Sequence, residues 1–498
     1  MKASAITKGA IISYVAIFLN IAITFVYTPW MIHTIGQSNY GLYSLVSSFI
    51  GYFILDFGMA TSIARFVSKY RAEGREDKIE NMLGLTTRLY LLIDLVIFLV
   101  LLVLYFFINN IFTGLTPDEI ETFKRLYIVA GVFSVCSFVF KPVNGAMMAY
   151  EYFVENKVLD MVTRVGTVLL VAIALLLGGD VFILVLINGA VGFAVSVIKY
   201  VVLIRKSKLK IMWSYFEKEE LKVLFSFSLW IFLMGLAQRF RFTLVQSVLG
   251  IFSNSMEISL FALGMTIEAM VFTISSALNG LFLPKVTRLS LSGDKDSILE
   301  LMTRVGRLQL YLIVLIFSEF LIFGQTFLHL WVGDGFQDVY YIVLLLIASN
   351  IVSLTQSVGN DCVFAENKVK YTSLSILICS TIGIIGSVIF SKPYGALGCA
   401  ASTCFALVAN VVMTNIIYKR QLNLNVGQFF KNCHFKILLP LTGLAILSMF
   451  VFPLVLKNSW LSLLGCGGAY CVVFILLSYL FLMDGYEKSL ISSLVKKF

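Results

Sequence analysis

The chain has 498 residues, 59% of them hydrophobic and 13% charged, with a formal net charge of +10. Soluble domains carry about 25% charge, so this composition excludes a soluble globular protein and implies a polytopic membrane protein. The excess Lys and Arg lie in particular loops. That excludes a nucleic-acid footprint and makes charge a reporter of membrane orientation.

In chain order, fourteen apolar runs are long enough to cross a bilayer. They fall at 9–32, 40–64, 84–108, 125–149, 157–177, 181–204, 223–249, 258–283, 305–330, 338–362, 370–390, 395–418, 436–456 and 459–483. The first run exceeds a signal-peptide core and reads as an uncleaved span. Basic residues crowd loops 65–83 (Arg65, Lys69, Arg71, Arg75, Lys78), 205–222, 284–304 and 419–435. Loops 33–39, 109–123, 178–180, 250–257 and 331–337 hold no Lys or Arg. The asymmetry places both termini in the cytoplasm. The outer loops are too short to hold an active site. No HExxH, GxSxG or phosphate-binding loop occurs. Most of the eight cysteines sit in apolar runs, and the three histidines lie far apart. The sequence therefore predicts neither an enzyme nor a metal site.

The stretch FVENKV at Phe153 to Val158 returns as FAENKV at Phe364 to Val369, at an offset of 364 − 153 = 211. GLYSL at Gly41 answers SLFAL at Ser259, and Arg205-Lys206 answers Lys419-Arg420. Such a period is too long for a solenoid and suits a transporter of two related helix bundles. The expected fold is all-α, with about fourteen transmembrane helices. It comprises two pseudo-symmetric six-helix bundles plus two C-terminal helices. The boundaries are 1–210, 211–425 and 426–498.

A charge at mid-bilayer costs about 2.5–3.5 kcal/mol on insertion scales, so intramembrane polar groups point to function. Helical phase groups them, because positions three, four and seven apart share a face. Asn20 and Thr24 share a face of span 1. In span 4, Lys141 precedes Pro142 and shares a polar stripe with Asn144. Span 10 carries Asn350, Ser353, Ser357 and Asn360. In span 7, Arg239 shares its stripe with Gly235, Thr243 and Gln246, whereas Arg241 faces apolar neighbours. Glu268 in span 8 lies at the same depth as Arg239, either as a static ion pair or as a gate that opens when an anion takes the arginine. Asp160 and Arg164 read as a local i,i+4 pair. Asp56, Asp94, Glu319 and Asp361 are lone acids, of which Asp56 is the preferred coupling group.

The stretch IGQSNYGLYSLVSSFIGYFILDFGMATSIARFVSKY from Ile35 to Tyr70 resembles the second-span region of bacterial polysaccharide transporters. HLWVGDGF at His329 and KPYGALGCAAST at Lys392 resemble the same family's span 9 end and span 12 entry. These are the O-antigen and capsule repeat-unit flippases of the multidrug/oligosaccharidyl-lipid/polysaccharide exporter superfamily. The extra C-terminal pair resembles the fourteen-span lipid II flippase branch. The resemblance implies transfer of an undecaprenyl-pyrophosphate-linked oligosaccharide across the bacterial cytoplasmic membrane by alternating access. It further implies H⁺ or Na⁺ as coupling ion and no other cofactor. It implies membrane lipids, a polysaccharide polymerase and chain-length machinery as partners. On that footing Arg239 and Lys141 bind the anionic headgroup, Glu268 and Asp56 gate or couple, and the polar stripes line the cavity. Spans 13 and 14 would form part of a groove for the polyprenyl tail. The alternative is a cation-coupled multidrug exporter of the same superfamily.

Overall fold

A computed structural model describes residues 3–53, 59–209, 235–236, 239, 243–276 and 282–489. Every regular element among them is helical. In order they are α1 (Ala3–Ile35), α2 (Gln37–Gly51), α3 (Met59–Ala72), α4 (Glu76–Ile111), α5 (Pro117–Phe138), α6 (Lys141–Ala149), α7 (Phe153–Leu176), α8 (Val181–Ser207) and α9 (Leu244–Phe252). They continue with α10 (Ser255–Ser275), α11 (Leu283–Leu291), α12 (Lys295–Val332), α13 (Asp338–Thr355), α14 (Ser357–Ala365), α15 (Val369–Gln421), α16 (Val426–Phe430), α17 (Lys436–Val451) and α18 (Trp460–Leu477). Eleven helical stretches among the described residues are long and apolar enough to cross a membrane. At 53 residues, α15 would run about 80 Å, far beyond a hydrocarbon core of about 30 Å. It breaks at Gly395, whose φ of 53° favours glycine, and so carries two apolar runs.

The loops start helices with the expected chemistry. Thr116 and Glu119 form a reciprocal capping box around Pro117. Asp180 accepts the backbone N–H groups of Phe182 and Ile183, and Asp294 that of Ser297. Each cap satisfies donors that would otherwise be orphaned at a membrane boundary.

The chain divides into two compact units, one of residues 1–262 with 391–395, the other of 263–390 with 396–498. In the first, α8 packs on α5 and α7, α2 on α5 and α9, α1 on α7, and α3 on α6. In the second, α12 is the axis and carries α13, α17 and α18.

The element order repeats, and backbone conformation fixes the register. Left-handed residues end corresponding turns at Gly74 and Gly293, at Glu151 and Asn367, and at Lys208 and Asn423. Their offsets are 293 − 74 = 219, 367 − 151 = 216 and 423 − 208 = 215. The fourth span of each repeat breaks at the same place, α5 into α6 and α13 into α14, and the second pieces both have nine residues. Ser259 and Gly41 are fifth in α10 and α2, so that echo is in register. The FVENKV echo is not. Phe153 opens α7, whereas Phe364 lies at the end of α14. The two similar stretches fall five positions away from structural equivalence.

Candidate functional site

The first unit gathers charged and polar groups inside its apolar helices. Lys199 of α8 is buried, and its Nζ donates to Asp160 Oδ1 at 2.6 Å and to Asn144 Oδ1 at 3.1 Å. Asn144 and Lys141 are three apart on α6, so they share a face. Lys141 opens α6 just after the break in span 4, with Pro142 following where a missing N–H costs nothing. Its Nζ lies 5.8 Å from the Phe138 ring centroid. Asp160 follows the α7 start at Phe153 by two turns, and Lys199 precedes the α8 end at Ser207 by slightly more than two. Asp160 is therefore about 10 Å from the α7 start, and Lys199 about 12 Å from the α8 end, which carries the basic residues Arg205 and Lys206.

One turn deeper, Arg164 Nη2 donates to Thr24 Oγ1 at 2.8 Å. Thr24 in turn donates to the Asn20 carbonyl at 2.7 Å. The Arg164 charge also reaches Tyr27 and Tyr43. Asp160 and Arg164 thus do not form the local pair that their spacing predicts. Each turns to another helix, Asp160 to α8 and Arg164 to α1, because each finds a more buried partner there.

Arg239 is half-buried, and its guanidinium lies against Gly51 of α2; a Cβ on Gly51 would stand 3.2 Å from Nη1. Gln246, on the stripe of Arg239, is buried against α2 and accepts from Ser44 and Ser48. Tyr52 adds bonds to the Thr243 carbonyl at 2.6 Å and Ser247 Oγ at 3.1 Å. This part of span 7 is therefore zipped to span 2. Asp56 and Arg241 lie outside the described residues.

At the N-terminal ends of α2, α5 and α10, the Glu119 carboxylate accepts from Ser38 at 2.9 Å and from Ser255. Three helix N-termini thus converge on one anion, as their dipoles favour. Gly41 lets α2 come so close that a Cβ there would collide with the Ser255 carbonyl.

In the second unit Glu268 and Asn350 meet. Both are buried, and Asn350 Nδ2 donates to Glu268 Oε1 at 2.7 Å. Ser357 donates to Gln309 Oε1 at 3.1 Å, Ser353 is half-buried, and Asn360 accepts from Tyr418. The break at Gln356 divides Asn350 and Ser353 on α13 from Ser357 and Asn360 on α14. The stripe read along one continuous helix is therefore two short faces.

Sequence reasoning missed Lys199. It sits in an apolar run already closed by Arg205 and Lys206. The available signal was the stripe Asn188, Gly192, Ser196 and Lys199, small or polar at helical spacing.

The helical architecture, in two repeats with a polar cluster in the first, defines a multi-pass membrane protein. Residues 6–289, more than half of the chain, match the family described as polysaccharide biosynthesis protein, and the chain belongs to that family. Among solved structures the chain is similar to the lipid II flippase MurJ in an inward closed conformation. The TM-score is 0.69 and the identity 15%, over 96% of this chain and 98% of that one. It is also similar to a eukaryotic MATE transporter, with a TM-score of 0.61 and 14% identity over 86% of this chain and 96% of that one. An inward-facing multidrug resistance MATE transporter gives 0.62 and 12%, over 83% and 99%. No curated protein sequence matches.

Proposed function

We propose that this protein is a flippase that moves polyprenyl-pyrophosphate-linked oligosaccharides from the inner to the outer leaflet of the bacterial cytoplasmic membrane. It crosses the membrane fourteen times with both termini inside. Residues 1–210 and 211–425 are the alternating lobes, and 426–498 add a helix pair that guides the polyprenyl tail. The family and the fold support this reading, and the Lys199–Asp160–Asn144 cluster beside Lys141 carries it. A pyrophosphate is a dense anion that wants fixed cations in a water-filled site. When it takes Lys199, the Asp160 carboxylate loses its nearest partner, keeps only Lys157 at 3.9 Å, and binds H⁺ or Na⁺, which couples headgroup to ion. Lys141 and Arg239 are further headgroup cations. Arg164, Thr24 and Asn20 receive sugar hydroxyls, Asp56 is a second coupling acid, and Glu268 with Asn350 is a gate in the second unit.

Deletion of the gene in its host tests the reading. The expected result is loss of surface polysaccharide with lipid-linked oligosaccharide trapped on the inner leaflet. Normal polysaccharide with new sensitivity to cationic dyes would instead establish a multidrug exporter.

A further inference from the structure

The repeat register exposes a surface that is covered in one half and bare in the other. In the second unit, α17 and α18 seat on α12. Tyr311, Val314 and Phe323 of α12 share a core with Ile437, Leu441, Tyr470 and Phe474 of the pair. The seat is keyed by Arg307. Its Nε donates to Glu487 Oε1 at 2.6 Å and its Nη2 to Glu487 Oε2 at 2.8 Å. The remaining bonds go to the carbonyls of Leu482, at 2.9 Å, and Asn432, at 3.0 Å, and to the Tyr311 hydroxyl at 3.2 Å. The guanidinium thus reads the chain just after α18, a carboxylate a little beyond it, and a carbonyl just before the start of α17.

The equivalent helix in the first unit is α4. Helix starts at Glu76 and Lys295 and the left-handed glycines Gly74 and Gly293 set the offset at 219. Arg307 follows the start of α12 by the same interval as Arg88 follows the start of α4 (307 − 295 = 88 − 76). The arginine key is therefore duplicated. Among the described residues none is bonded to the Arg88 guanidinium. Below it Leu92, Leu95 and Leu99 are 64%, 56% and 50% exposed, whereas their counterparts Tyr311, Val314 and Ser318 are 7%, 4% and 2% exposed. Val103, 55% exposed, continues the same stripe.

We propose that the α4 face from Arg88 to Val103 is a docking site for a transmembrane helix pair of another membrane protein. That partner carries an Asp or Glu within about two turns of a cytoplasmic helix end and presents it to Arg88. Charge complementarity and the covered counterpart specify this occupant. Lipid chains alone would account for the leucines but not for an arginine set at the depth where its twin binds a carboxylate and backbone carbonyls.

The test places a photoreactive amino acid at Leu95 in the full-length protein in its native membrane and maps the adducts by peptide mass spectrometry. The expected adduct joins Leu95 to a transmembrane segment of a different protein with an acid at its cytoplasmic end. Its yield falls about tenfold in Arg88→Glu and in the milder Arg88→Gln, and returns in Arg88→Glu when the partner's acid is changed to Arg. Adducts to phospholipid alone, adducts only to a second copy of this chain, or an adduct indifferent to Arg88 in a folded variant would overturn the proposal.

Discussion

Lys199 sits buried in the apolar interior of α8, and what makes it tolerable there also makes it usable. Asp160 and Asn144 satisfy its ammonium at 2.6 and 3.1 Å, which offsets the cost of a charge at that depth. An anion that competes for the ammonium must displace Asp160. Lys199→Ala is therefore expected to abolish oligosaccharide transfer while the protein still folds, because Asp160 is about half exposed and keeps Lys157 at 3.9 Å; Asp160→Asn on top of it does not restore transfer. Protein yield and leaflet assays on both variants check this. Glu366 plays a different, structural part in the turn between α14 and α15. Burial alone would raise its carboxyl, but hydrogen bonds from Lys295, Lys368 and Ser290 outweigh burial and hold it at about 2. A carboxyl lowered from its usual value of about 4.3 contributes stability above that pH and loses it as pH falls towards 2. Thermal unfolding in detergent between pH 6 and pH 3 is expected to show a loss that Glu366→Gln removes.

Elements were easier to read than the partners of their side chains. Apolar runs and loop charges mark the helices because the bilayer demands about 20 apolar residues per crossing. Pro142 announces a distortion in span 4, and the structure places the break just before it, between α5 and α6. The matching break in span 10 has no proline, only Gln356, so the sequence is silent there and the polar stripe was drawn across it. Asp160 and Arg164 show the same limit. Their spacing fits a helix pair, but spacing on one helix cannot reveal that α8 and α1 offer deeper partners. Gly41 is a case where one residue decides an element's packing. Its missing side chain lets α2 meet the start of α10 at the Ser255 carbonyl. Gly41→Val is expected to destabilise the protein by about 1–3 kcal/mol through overpacking, measurable as a lowered unfolding midpoint with unchanged helix content.

The whole molecule is a duplicated set of helices with an addition. Sequence echoes revealed the duplication, and the left-handed turns at Gly74 and Gly293 and at Glu151 and Asn367 supply its register. FVENKV misled by five positions because short apolar-flanked turns use the same few letters. The added pair is held on α12 by a buried Arg307–Glu487 fork. Removing one partner of such a pair leaves an uncompensated charge, so Glu487→Ala is expected to cost about 3 kcal/mol. Differential scanning in detergent and protease release of the C-terminal segment measure it; an unchanged profile would show that packing alone seats α17 and α18.

The proposed function requires that cations inside the membrane of the first unit carry an anionic lipid-linked sugar. The most direct measurement reconstitutes the purified protein in vesicles with a polyprenyl-pyrophosphate oligosaccharide and follows the accessibility of the sugar to an external lectin. Ion-gradient-dependent transfer is expected in the native protein, none in Lys199→Ala or Lys141→Ala, and no transfer of a neutral polyprenol glycoside. Full transfer by both variants, or equal transfer of the neutral lipid, would contradict it.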